Sequence, residues 1–291
     1  MSHKNVTGDT TARAELDAFR ELQQLAYQAA SDVAAALEPG VTEREAARRV
    51  RELLEARGVQ DWFHTPFAWF GDRTAFRNFR VPFQFFPTGR RLEEGMAFIL
   101  DCAPVRDGYV ADIGYSGYLG ENPLHDLLMD DLRAHRSLIV ERVRAGDTLQ
   151  DVYRAVDALI REQGYDNRHR VYPGRVIAHQ LGKVTSRLPR AIVAGFGVRS
   201  LQTLVGDLVV ERLHHRSPLW ADGDVSAHPA TPGLWAVEPH IGFRDLGVKF
   251  EEILVVTEDD AHWLDDDLPH VRRWARTSPA PAAASEETAT A

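Results

Sequence analysis

The sequence has almost no cysteine. Cys102 is the single one among 291 residues, so no disulfide can close within the chain, and a reducing compartment is the expectation. Long apolar runs are missing as well. No segment approaches the length that spans a bilayer, and Met1 to Asp9 lacks the apolar stretch of a secretory signal; the expected location is the cytoplasm, with no membrane partner. Nor is there a basic cluster. The formal charge is −9, with 34 Lys and Arg against 43 Asp and Glu. That argues against nucleic acid as a partner, because phosphate binding draws on clustered Lys and Arg. The acidic runs Asp265-Asp266-Asp267 and Glu286-Glu287 read as solvated surface.

What is present is enough apolar residue, 44%, for one large core. Residues 1–9 are expected to be loose, 10–277 to form a single domain, and 278–291, built of Ala, Pro, Ser, Thr and Glu, to form a disordered tail. A first helix is expected from Thr10 or Thr11. Leu16, Phe19, Leu22, Ala26, Ala29, Val33 and Leu37 then recur at steps of three and four residues. Pro39-Gly40 ends it, and Thr42 with Glu45 has the capping-box pattern that opens a second helix, closed at Gly58. The unit recurs. Leu37 to Gly58 aligns with Val143 to Gly164 at one constant offset, matching Gly40 with Gly146, Thr42 with Thr148, Arg48 with Arg154 and Gly58 with Gly164. Glycines and threonines in register at both ends point to a duplication, with each half a helix pair followed by strands.

The strands hold carboxylates where apolar residues belong. Met96 to Ala103 is apolar except for Asp101, and Tyr109 to Tyr115 contains Asp112. A hairpin centred on Arg106-Asp107 sets Asp101 directly opposite Asp112. One centred on Asp107-Gly108 makes them diagonal neighbours. Either register aims both side chains to one face. Downstream, Glu238 and Glu251 face each other across a hairpin centred on Arg244-Asp245, and Glu252 points to the opposite side. Opposed carboxylates repel, and burying them unpaired is costly, so a bound cation is the natural occupant. With one imidazole added, the set suits two divalent ions such as manganese, iron, cobalt or zinc rather than a structural, thiolate-rich zinc site.

These stretches resemble a known family. LEEGMAFILDCAPVRDGYVADIG is similar to the first metal-binding hairpin of the pita-bread metallopeptidases (methionine aminopeptidases, Xaa-Pro aminopeptidases and prolidases), whose two aspartates stand eleven positions apart, as Asp101 and Asp112 do. PGLWAVEPHIGF resembles the family's Glu-Pro motif, KFEEILVVTEDD its last strand, and VIAHQLG the segment with its histidine ligand. The resemblance runs from about residue 15 to residue 265. It implies an α+β pita-bread fold, itself a pseudo-symmetric duplication with helices outside a central antiparallel sheet, here as the catalytic domain alone. It also implies a two-metal centre on Asp101, Asp112, His179, Glu238 and Glu251, with Glu238 relaying a proton.

The pattern breaks at the substrate-handling histidines of that family. Gln84 lies in the neighbourhood of one, Arg175 at the place of another and Ser186 at a third. His64, His214, His215 and His240 are the available substitutes. His64 is either a packed core histidine or a group reaching the site, and His240 follows Glu238 by two positions; these two are the substrate-binding candidates. The segment 186–235 is longer than the family pattern and reads as a surface insertion, or as a lid or dimer element; a homodimer is therefore among the expected arrangements. The leading functional reading is a binuclear-metal-dependent hydrolase acting on a small amide or dipeptide-like substrate. Beside it stand a metal-dependent lyase on the same fold and, disfavoured by the full ligand set, a non-catalytic binding protein.

Overall fold

The computed structural model describes residues 4–277; the expected tail at 278–291 and the first three residues lie outside them. In chain order the elements are α1 (Lys4–Ala35), α2 (Glu43–Ala56), β1 (Asp61–Phe70), β2 (Ala97–Arg106), β3 (Tyr109–Val110), β4 (Ile113–Tyr118), α3 (Pro123–Arg144), α4 (Leu149–Glu162), β5 (Asp166–Asn167), β6 (Val176–Leu181), β7 (Ile192–Val193), β8 (Phe196–Gly197), α5 (Val198–Leu213), β9 (Leu219–Ala221), β10 (Gly233–Val237), β11 (His240–Phe243), β12 (Leu246–Lys249), β13 (Glu252–Val256), β14 (Ala261–Trp263) and α6 (Pro269–Thr277). The first helix starts at Lys4, earlier than the apolar periodicity indicates. Once a helix is nucleated, further polar turns add at little cost, and they leave no periodic mark.

The duplication is visible in the caps. Thr42 accepts from the backbone N–H of Glu45, and Thr148 accepts from that of Asp151. Gly40 and Gly146 precede the caps at φ +93° and +79°, and Gly58 and Gly164 follow the helices at +90° and +78°. These are left-handed positions where a Cβ is penalised. Each helix pair lies on its own antiparallel sheet. In the first, the order is β3-β2-β1-β8-β7, with β4 also pairing β2; in the second it is β14-β13-β10-β6-β9. A third, small sheet runs β12-β11-β5. Leu22, Ala26, Val50 and Leu54 pack on Phe98, Leu100 and Cys102 in one core; Leu132, Ile139, Val152 and Val156 pack on Trp220, Trp235 and Val237 in the other. Burying a large apolar side chain of this kind stabilises by roughly 1.5–3 kcal/mol.

The halves meet where β4 touches the end of β12. Gly114 and Glu251 form an isolated antiparallel bridge. The Tyr27 hydroxyl donates to the Glu251 carbonyl at 2.7 Å. Ser116 Oγ donates to the Lys249 carbonyl at 2.7 Å and accepts from its N–H at 2.9 Å. The segment 186–235 joins both sheets: β8 pairs with β1, and β9 pairs with β6. Its helix α5 buries only Ser200 and leaves Val205, Val209, Val210 and Leu213 exposed.

Removing either cap, by Thr42→Ala or Thr148→Ala, should lower unfolding free energy in urea by about 0.5–2 kcal/mol. Unchanged midpoints for both variants would show that the repeated Gly-x-Thr turn is not what starts these helices.

Candidate metal centre

Two hairpins and the strand β6 bring the charged residues together. The first hairpin turns at Asp107-Gly108, both at positive φ, with Arg106 opposite Tyr109. Of the two registers open to the sequence, this is the one that sets Asp101 opposite Gly114 and makes Asp112 its diagonal neighbour on the same face. The downstream hairpin turns at Arg244-Asp245, with Phe243 opposite Leu246 and His240 opposite Lys249. The same register resumes between β10 and β13, where Val237 is opposite Glu252. Glu238 and Glu251 flank the break between the two sheets. Glu252 turns to the other face, as alternation requires, and is held there by Arg136 at 2.7 Å and His270 at 3.0 Å. His179 lies on β6, opposite Ala236 of β10.

Asp101, Asp112, His179, Glu238 and Glu251 thus converge, each 2–8% exposed. Ligand atoms lie within 4.8 Å of one another in three groups: Asp112–His179–Glu251, Asp101–Glu238–Glu251 and His64–Asp101–Asp112. These are oxygen and imidazole donors in a dry setting, the chemistry that divalent manganese, iron, cobalt or zinc accepts. The donor set therefore fits a divalent metal.

Three further side chains enter the cluster. The Lys249 ammonium donates to Asp101 Oδ2 at 2.6 Å and Glu238 Oε2 at 2.7 Å, and lies 2.9 Å from Glu251 Oε2. Burial alone would drive its proton off, but Asp101, Glu238 and Glu251 outweigh burial and hold its pKa well above the ordinary lysine value. His64 Nε2 stands 3.1 Å from Asp112 Oδ1 and 3.2 Å from Asp101 Oδ1, with Nδ1 3.0 Å from the Thr65 carbonyl. His179 mirrors it, with Nε2 3.2 Å from Asp112 Oδ2 and Nδ1 3.3 Å from the Gln180 carbonyl. In each ring the carbonyl fixes the proton on Nδ1 and leaves Nε2 for the cluster. Phe67 stacks on His64, and Phe63 on His179. Third, the Tyr172 ring lies 5.3 Å from the Lys249 ammonium.

The remaining electrostatics follow from burial against charge. Burial lowers the His64 pKa, but Asp112 and Asp101 overcome it and raise it to about 9. Asp112 is pushed up by burial and pulled further down by His64 and His179, ending below the usual carboxylate range. Glu251 is raised well above it by burial and by its carboxylate neighbours, against Lys249. Glu238 is raised in the same sense, by burial first.

The other expected residues fall elsewhere. Pro239 parts β10 from β11, so His240 does not continue the face of Glu238. Its Nε2 meets the Thr74 carbonyl at 2.9 Å, its Nδ1 meets the Tyr172 hydroxyl at 3.3 Å, and Phe76 packs edge-on. His240 thereby positions Tyr172, which in turn faces Lys249. Gln84 caps a short turn by accepting from the Val81 N–H, Arg175 is exposed, and Ser186 donates to Gln202 within the segment 186–235. His214 and His215 are exposed at the end of α5. Sequence reasoning missed Lys249 and Tyr172. Lys249 stands two residues before Glu251, and the alternation rule applied to that pair was the available signal; Tyr172 lies in an irregular stretch that carries none.

A duplicated helix-pair-and-sheet unit with buried carboxylates and imidazoles gathered between its halves is the pita-bread fold of a metallopeptidase-like domain. The chain belongs to metallopeptidase family M24, whose family model matches residues 17–258. A comparison with curated protein sequences finds no significant match. Among solved structures, a prolidase from Thermococcus sibiricus aligns with a TM-score of 0.63 at 17% identity, covering 87% of this chain and 59% of its own. For the X-Pro aminopeptidase from Thermotoga maritima the values are 0.63, 16%, 87% and 61%. For a methionine aminopeptidase from Rickettsia prowazekii they are 0.59, 16%, 87% and 97%. The chain thus spans about three fifths of the prolidase and the X-Pro aminopeptidase, and nearly all of the methionine aminopeptidase.

In metal-free protein, the His64 contribution to stability should be fully present below the ordinary histidine pKa of 6.5 and fade as pH rises through about 9, because the folded state holds this proton more tightly. Urea unfolding of the metal-free chain across pH 6 to 10 should show that loss, and His64→Gln should flatten it. An identical pH slope in the variant would mean that His64 is not the group involved.

Proposed function

We propose that this chain is a divalent-metal-dependent hydrolase acting on a small amide or dipeptide-like substrate. The observation that carries the proposal is the burial of Asp101, Asp112, His179, Glu238 and Glu251 as one cluster of ligand atoms. A bound divalent ion supplies an acidified water and polarises a substrate carbonyl. The metal would be held by ligands drawn from these five residues, for which the family resemblance implies up to two ions. Glu238, raised in pKa by burial and steadied by Lys249, is suited to take a proton from the attacking water and pass it on near neutral pH. His64, between Asp101 and Asp112, and Tyr172, oriented by His240, supply the hydrogen bonding that Gln84, Arg175 and Ser186 do not bring to the cluster. Self-association as a homodimer would use the exposed apolar side of α5.

One observation favours a second reading. The side chains facing the carboxylates are a lysine, a tyrosine and His64, a set that can move protons on and off carbon as readily as it can assist amide cleavage. That supports a lyase on the same metal-binding frame.

Protein reconstituted with manganese, cobalt, iron or zinc should turn over a member of a small-amide and dipeptide library. Generic methionyl and Xaa-Pro peptides, such as Met-Ala, Ala-Pro and Xaa-Pro-Xaa, should be poor substrates. Asp112→Asn and His179→Ala should each reduce the rate by more than about 100-fold, beyond the roughly 10–100-fold typical of groups that only orient a ligand. Metal-loaded protein that hydrolyses nothing in the library but eliminates from a small substrate would transfer the conclusion to the lyase reading.

A further inference from the structure

Of the three ligand groups, one already has a cation in it. Asp101 Oδ2, Glu238 Oε2 and Glu251 Oε2 all point at Lys249 Nζ, from 2.6 to 2.9 Å. A metal ion bonded to the same three oxygens would stand at about 2.0–2.3 Å from each. It would therefore share the small space between them with the ammonium, and two cations cannot occupy it together. Resting on the metal-hydrolase reading above, we propose that Lys249 stands in place of one of the two ions, so that the chain takes up a single divalent ion, held by Asp112, His179 and Glu251.

The lysine is built into this place. It is 1% exposed. Its backbone is tied to Ser116 Oγ through both N–H and carbonyl. Its stem crosses β4 at Gly114, where an added Cβ would fall 2.1 Å from Lys249 Cε, so the missing side chain is what opens the lane. It has no better partner to retreat to. A cavity of about 560 Å³ beside it is lined, among the described residues, by His125, His270, Arg273 and Arg276 and by no Asp or Glu. Moving the ammonium there would exchange three carboxylates for the neighbourhood of two guanidiniums, Arg273 and Arg276. Asp112, His179 and Glu251 remain as a group of ligand atoms that holds the imidazole and shares only Glu251 with the oxygens around the ammonium. One ammonium and one divalent ion together offset three of the four carboxylate charges.

The test is to load the full chain with excess Mn(II), remove unbound metal, and measure manganese per chain by elemental analysis and electron paramagnetic resonance. The wild type should carry one ion with the spectrum of an isolated Mn(II). Lys249→Met, which keeps the length of the stem and removes the charge, should carry two with an exchange-coupled spectrum. Gly114→Ala, which blocks the lane of the stem, should shift in the same direction and stands in if Lys249→Met does not fold. Two coupled ions in the wild type would overturn the proposal while leaving the metal-hydrolase reading in place. One ion in wild type and in both variants would also overturn it, because the lysine would then exclude nothing. No bound manganese in the wild type would overturn both.

Discussion

Mutual repulsion among four buried carboxylates is the constraint around which this molecule is arranged. Asp101, Asp112, Glu238 and Glu251 come from both halves of the duplicated fold. Burial alone would protonate such groups or hold the halves apart. Every cation and donor near them answers that problem. Lys249 serves three of the carboxylates, and His64 and His179 each take one oxygen of Asp112. The cluster is thus a structural joint as well as a candidate centre, because the side chains that gather charge are the ones that link the first sheet to the second.

The duplication explains where the joint lies. Each half places a capped helix pair on an antiparallel sheet, and the halves touch at the bridge between Gly114 and Glu251. Tyr27 and Ser116 complete the seam with hydrogen bonds to the backbone of Glu251 and Lys249. The long segment 186–235 does not sit apart from this frame. It adds β8 beside His64 and β9 beside His179, so it walls the cluster from both sheets at once. Phe196 on β8 packs against both Phe63 and His64, and the small cavity beside His179 is closed by Ser200, Thr203, Leu204 and Asp207 of α5. Whatever reaches the carboxylates from that side passes residues of this segment.

The groups around the carboxylates differ from the family's histidine pattern in kind as well as in position. Gln84 serves a turn, Arg175 lies at the surface, and Ser186 bonds within the segment 186–235. The groups that do face the carboxylates, His64, Tyr172 and Lys249, come from a bulged strand, an irregular loop and the strand end beside Glu251. A centre built this way sets a charged ammonium and a phenol beside the imidazole of His64.

Much of this was present in the sequence by itself, because its signals are local and periodic. The Gly-x-Thr turns recur with the helices they start, and the two hairpins limit which carboxylates can share a face, since side-chain direction alternates whatever the surroundings. Only the tertiary structure decided the rest. It selected Asp107-Gly108 over Arg106-Asp107 for the first turn. It showed that His64 joins the cluster, because register shifts on either side of it in β1 break the alternation that would have assigned its face. It carried His240 away from Glu238, because Pro239 ends one sheet and β11 begins another. It also brought Lys249 across Gly114 into the carboxylates. Spacing along one strand fixes a direction, but whether a side chain meets a charge from another sheet depends on contacts between distant segments, and those no local pattern encodes.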